Sequence, residues 1–289
     1  MTSKGGMKRG FVVPFGDARE FSELAALGEQ HGWDGIFTWE ALWGVDAWVS
    51  MAAAAMTTET IKLGTLLTPV ARVKPWDLAT KVRTVDTLSG GRVILSAGLG
   101  ALHPGWLAFE TDEGRRTRVE KLEECLAIYA GLMRGQPFSY TGKHYSVTPT
   151  DFMLPDPPVQ LPHPPVWLVG VHMVGREEQP SLARAARWDG LIPQVVEGNA
   201  RSKAKQLQGF ADVVGRTRQL RAEAGLPWDG YDVIVEADSS GEFVELEPAD
   251  PAAWEAAGAT WWVESWWGIE RGDVGSAELR RRIMVGPPS

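Results

Sequence analysis

Few residues in this chain can do acid–base or electrostatic chemistry, and most stand beside short apolar runs. Glu40 lies between Trp39 and Leu42. Apolar walls would raise its pKa toward the range of a proton carrier, while the plainer role is a structural carboxylate that satisfies loop amides. His103 and His172 could shuttle a proton or bind a ligand, or be surface residues. Arg176 precedes a helix start at Pro180-Ser181, where a guanidinium and free helix amides suit an anion such as phosphate; otherwise it is a solvated charge. Glu236 and Glu264 could face one another as a catalytic pair or pair with a barrel arginine. Four of the 14 tryptophans, Trp261, Trp262, Trp266 and Trp267, offer either a stacking surface or plain packing.

Other chemistries are excluded by spacing. Gly98-Leu99-Gly100 follows a strand-like run, but a dinucleotide fingerprint needs a third glycine where His103 stands. There is no Walker loop and no Gly-x-Ser-x-Gly elbow. The histidines at 31, 103, 144, 163 and 172 lack metal-ligand spacing, so no metal is expected. Cys125 is the single cysteine, so no intrachain disulfide forms and a reducing cytoplasm fits. With a net charge of −8 and no dense basic stretch, neither nucleic acid nor an anionic membrane is an expected partner. The N-terminus lacks a signal-like apolar run, and Trp48 to Met56 is too short to span a bilayer.

These residues need elements to position them. Apolar strand-like runs alternate with helical patterns: Phe11 to Phe15, Gly35 to Trp39, Ile61 to Val70, Arg92 to Ala97, Pro165 to Val171, Gly190 to Pro193, Tyr231 to Ala237 and Thr260 to Glu264. Helices are expected between them, including Pro75 to Leu88, Thr117 to Arg134 and Ala200 to Ala224. The Pro-rich stretch 135–165 reads as an insertion between the fourth helix and the fifth strand. Eight β-α units in 289 residues, 44% of them hydrophobic, predict one α/β domain over 1–289, a (β/α)8 TIM barrel. In such a barrel the chemistry sits where strands end. Those ends are mostly apolar and aromatic here, which suits a flat organic ligand.

Several segments together resemble the luciferase-like monooxygenase family, the (β/α)8 flavin- and F420-dependent oxidoreductases. They are His31-Gly32-Trp33-Asp34-Gly35-Ile36-Phe37, Thr60-Ile61-Lys62-Leu63-Gly64-Thr65 with Thr68-Pro69, and Lys74-Pro75-Trp76 with Leu88-Ser89-Gly90-Gly91-Arg92. Arg118 to Leu126, Tyr140-Thr141-Gly142-Lys143-His144-Tyr145 and Ala183 to Gly190 continue the likeness over roughly residues 10 to 195. The resemblance implies a reduced flavin, FMN or coenzyme F420, lying across the barrel mouth against Trp39, Leu66, Leu67 and Leu99. It implies a cis peptide at Leu66-Leu67, and a phosphate end held by Gly170, Val171, His172 and Arg176 beside Leu191 and Ile192. Relatives often form a homodimer through helices of the barrel wall.

The chain departs from the family pattern where an acid is often followed by histidine: Glu40 is followed by Ala41. Leu99 and Ala101 also replace the Thr or Glu that some F420 enzymes carry after strand four. The resulting expectation is a cytoplasmic oxidoreductase, a monooxygenase or hydride transferase acting on a small to medium, apolar or aromatic molecule. Glu40 and His103 are its candidate catalytic groups. The rivals are a glycoside hydrolase using two of Glu40, Glu236 and Glu264, and a non-catalytic barrel that holds a flavin.

Overall fold

Eight parallel strands close on themselves in the computed structural model, which describes residues 6–102, 104–197, 200–201, 206–242 and 250–288. The strands are β1 (Lys8–Val12), β2 (Gly35–Thr38), β3 (Lys62–Thr65), β4 (Val93–Gly98), β5 (Val166–Met173), β6 (Gly190–Glu197), β7 (Asp232–Ala237) and β8 (Trp261–Ser265). Each pairs in parallel with the next, and β8 returns to β1 through Lys8↔Trp261 to Val12↔Ser265. The helices are α1 (Ala18–Gln30), α2 (Ala47–Ala55), α3 (Pro75–Ser89), α4 (Arg115–Arg134), α5 (Pro180–Ala185), α6 (Leu207–Glu223), α7 (Pro251–Ala256) and α8 (Asp273–Val285). This is the (β/α)8 barrel the periodicity predicts.

Local chemistry sets the helix starts. Asp17, Asp46 and Asp250 accept amide protons at the N-termini of α1, α2 and α7, and Pro75 opens α3, which Gly90 ends in the left-handed region at φ 67°. Alternation along the strands then makes two cores. The larger lies between barrel and helices, and the smaller, inside the barrel, holds Val12, Phe37, Leu66, Ile94, Trp167, Ile192, Ile234, Trp261 and Val263.

Several boundaries differ from the sequence reading. The first strand begins at Lys8 and ends before Val13. The third breaks after Thr65, because Leu66-Leu67 is cis and the chain restarts as the short strand Thr68–Pro69 beside β4. The helix expected from Ala200 begins at Leu207, because β6 runs on to Glu197 and Ala200–Arg201 pairs back against it. Residues 135–165 contain the hairpin Tyr140–Thr141 with Ser146–Val147.

The signature segments turn out to be fasteners. Arg92 is buried, and its guanidinium donates five hydrogen bonds of 2.7–3.0 Å: to Ser89 O, Thr58 Oγ1, Ile61 O, Ala55 O and Thr58 O. It thereby ties the ends of α2 and α3 to the start of β4. Glu124 of α4 does the same for the hairpin, accepting the amides of Lys143, His144 and Tyr145 at 2.8–3.2 Å. A Cβ on Gly142 would sit 2.3 Å from a Glu124 oxygen, which explains that glycine. Arg92→Met should lower stability by about 3 kcal/mol or more, because several buried carbonyls lose their donors. An unchanged denaturant midpoint would refute that role.

Candidate active site

The mouth of the barrel is built on an apolar floor. Leu66, Ile192 and Val263 belong to the interior cluster, and Val169 packs against it. Ile94 also lies in that cluster, so Ser96, two residues on, shares its inward face. The Ser96 hydroxyl is buried without a hydrogen-bond partner. Leu67 covers the next inward position, Gly98, where an added Cβ would meet the leucine at 3.0–3.1 Å. Trp39 is half-buried at the end of β2, its indole N–H bound to Pro14 O at 2.9 Å and its ring edge-on to Trp267 at 6.4 Å.

Glu40 lies between the end of β2, helix α2 and the turn after Leu67. The Trp48 indole N–H donates to its Oε1 at 2.6 Å, and Oε2 is buried without a partner. The Thr68 hydroxyl beside it gives its proton to Thr65 Oγ1 at 3.0 Å, and Thr65 in turn donates to Ser96 O at 3.2 Å. Burial pushes the Glu40 carboxyl above its ordinary value, against the pull of Thr68, Trp48 and the more distant Lys81; Asp46 adds to the push. Trp48, Thr65, Thr68 and Ser96 are thus part of the site, and sequence reasoning missed all four.

The other candidates do not gather around Glu40. Val171 alternates with Val169 and so faces inward with Ile192. Gly170, His172, Leu191 and Leu99 are corrected to the helix side. A Cβ on Gly170 would strike Leu191, Leu182 and Ala185, while Leu191 and Leu99 belong to the outer core. His172 faces Asp212 and Arg216 of α6; burial lowers its pKa, Asp212 opposes this and Arg216 adds to it. The reason is strand parity, since a one-residue step exchanges the faces. Arg176 is exposed at the end of the loop after β5, where Gln179 ties back to Met173 and Arg176 main-chain atoms at 2.7–2.9 Å. His103 lies outside the described residues.

The three carboxylates of the glycosidase rival are not paired either. Glu264 is fully buried on the helix side, accepting from Trp262 Nε1 at 2.9 Å and Ser239 N at 3.0 Å. Glu236 is held by Trp267 Nε1 at 2.7 Å. Among the described residues no group of three or more His, Cys, Asp or Glu is placed to hold a metal ion, and no helix is long and apolar enough to cross a membrane.

A family model described as luciferase-like monooxygenase matches residues 3–263. The chain belongs to that family. It is 33% identical over 147 residues to a Mycobacterium tuberculosis protein named as a candidate coenzyme F420-dependent oxidoreductase, covering 48% of this chain and 41% of that one. It is 28% identical over 200 residues to the F420-dependent glucose-6-phosphate dehydrogenase of Beutenbergia cavernae, covering 64% and 59%. The chain therefore spans about half the length of these curated relatives. Among solved folds it resembles the coenzyme F420 dependent tetrahydromethanopterin reductase of Methanopyrus kandleri, with TM-score 0.72 and 15% identity over 97% of this chain and 99% of that one. It also resembles the FMN-bound oxygenating constituent of 3,6-diketocamphane monooxygenase from Pseudomonas putida, with TM-score 0.62 and 19% identity over 81% and 69%. These two likenesses concern the luciferase-like fold alone.

The raised carboxyl of Glu40 has a consequence for stability. The contribution of a group whose folded pKa exceeds its unfolded one is present below the unfolded value, near 4.5, and is lost as pH rises through the folded value. Glu40→Gln keeps an acceptor for Trp48 and removes the buried charge. Relative to the parent protein, it should gain thermal stability between pH 4.5 and pH 8, measured by melts across that range. A variant that loses ground as pH rises would show that Glu40 is a stabilising carboxylate.

Proposed function

We propose that this chain is an oxidoreductase that works with a reduced coenzyme F420 or FMN on a small to medium, apolar or aromatic molecule. The observation that carries this reading is the mouth itself: an apolar floor of Leu66, Ile192 and Val263, with Glu40 half-buried at its edge, in a chain of the luciferase-like family. F420 is the first choice, because its sequence relatives include proteins named as F420-dependent. The proposed location is the cytoplasm, consistent with a buried Cys125 whose thiol burial pushes up to about 12, well away from reactivity.

The residues present suit such a ring. Ser96 offers an unpaired buried hydroxyl on the inward face of β4, and Leu66 and Leu67 form an apolar shelf beside it. The exposed guanidinium of Arg176, free of ion pairs among the described residues, is the group placed to meet an acidic tail. When bound, such a cofactor supplies hydride transfer or, for FMN, oxygen activation. The protein's share is to keep water from the floor and to set orientation. Glu40 is the proposed proton carrier or polar anchor: below its raised pKa it holds a proton on its carboxyl, with Trp48 fixing the other oxygen.

Titration with F420 and with FMN tests the cofactor, read by quenching of Trp39 and Trp267 fluorescence and by the cofactor's absorbance. Saturable binding of one is expected; binding of neither would leave the likeness as fold alone. With the bound cofactor and an apolar acceptor panel, Glu40→Gln should lower kcat/KM by about 10² to 10⁴-fold while cofactor binding persists. Activity of the parent protein should fall as pH rises through the raised Glu40 pKa. Unchanged kinetics would make Glu40 a structural residue.

A further inference from the structure

A second hollow opens beside the mouth, between the loops that follow β1, β2 and β8. It has a volume of about 400 Å³, within the range of small-molecule sites. Phe15, Phe21, Trp39 and Trp43 contribute its aromatic walls. Trp39 is the shared partition, since it also stands at the end of β2 beside Trp267. Trp43 stacks on Phe109 of the loop after β4, with centroids 6.2 Å apart and planes 15° apart, so the outer wall is braced by a second loop.

The charge around this hollow is one-sided. Asp17, Glu20 and Asp273 line it against a single described cation, Arg271. Asp17 is partly committed, because its carboxylate caps α1 by accepting Glu20 N at 2.8 Å. Asp273 lies in the first turn of α8 and offsets that helix end. The carboxylates of Glu20 and Asp273 have no hydrogen-bond donor or ion-pair partner among the described residues, and that of Glu20 lies over the bare backbone of Gly16. The helix ends facing the hollow are thus already compensated, and the lining stays net negative. A phosphate dianion would meet repulsion there. A cation would meet carboxylates within aromatic walls.

We propose that this cleft is the substrate-binding site and that it selects a ring-bearing ammonium compound over phosphorylated ones. The inference rests on the oxidoreductase reading for the word substrate, but the binding preference stands by itself. It separates this chain from relatives named for glucose 6-phosphate.

The test uses the full chain without cofactor and three probes of similar shape: benzylammonium, benzyl alcohol and phenyl phosphate, with glucose 6-phosphate as a fourth. Binding is read from Trp39 and Trp43 fluorescence at low salt. Benzylammonium should bind at least about tenfold more tightly than benzyl alcohol, and the two phosphates more weakly than either. Glu20→Gln and, separately, Asp273→Asn should each reduce the ammonium preference severalfold, as should added salt. Phosphate binding equal to or tighter than that of the ammonium, a preference unmoved by both variants, or no binding of any probe would overturn the proposal. Cofactor titration of the same sample separates the two readings. An ammonium preference in a protein that binds neither F420 nor FMN would keep the binding site and remove the oxidoreductase.

Discussion

Three aromatic rings fill the barrel toward the N-terminal ends of its strands, and the mouth exists because they stop where they do. Phe37, Trp167 and Trp261 stand with centroids 5.2–5.8 Å apart. They fit because Gly10, Gly35, Gly64 and Gly190 present no side chain: a Cβ at any of these would lie 2.3–2.9 Å from one of the rings. At the polar edge of the plug the Trp167 indole N–H donates to Asp232 at 3.1 Å and the Lys8 ammonium lies 5.1 Å from the Trp261 ring, while the Trp261 indole N–H is buried without a hydrogen-bond partner. With the interior closed below, nothing entering the mouth can pass deeper than the layer of Leu66, Ile192 and Val263. The depth of the candidate site is therefore set by packing, far from any reactive group.

The same division explains what could be read in the sequence. Strand and helix order was legible because burial imposes a period on apolar residues, and the family-like segments were legible because they are fixed in type by buried polar demands. Arg92 must match several carbonyls at once, and Gly142 must leave room for Glu124. Trp33 likewise anchors its indole N–H on Ile283 O at 3.0 Å, joining the start of the chain to its last helix. Such residues are scaffold, and their recognisability says little about chemistry.

The candidate site was legible only in part. Glu40 drew attention through its apolar neighbours, but Trp48, Thr65, Thr68 and Ser96 are ordinary residue types that meet only through the fold. The family resemblance implies a phosphate end at Gly170, His172 and Leu191, whereas which way these residues face is decided by register, which a sequence does not display. The extension of β6 to Glu197 and its pairing with Ala200–Arg201 was hidden for a similar reason. Two residues in a polar run carry no period of their own.

Ala41, where the family resemblance leads one to expect a histidine, bears most directly on the role proposed for Glu40. A histidine there would offer a group that titrates near neutrality without help. An exposed carboxylate could not replace it, since it would hold no proton at that pH. Glu40 is not such a carboxylate: it is half-buried beside α2 and the turn after Leu67, Trp48 occupies one oxygen, and the other is buried without a hydrogen-bond partner. Desolvation thus raises its pKa above the ordinary carboxylate value. In the proposed function Glu40 is therefore the group at the edge of the mouth that would hold a proton.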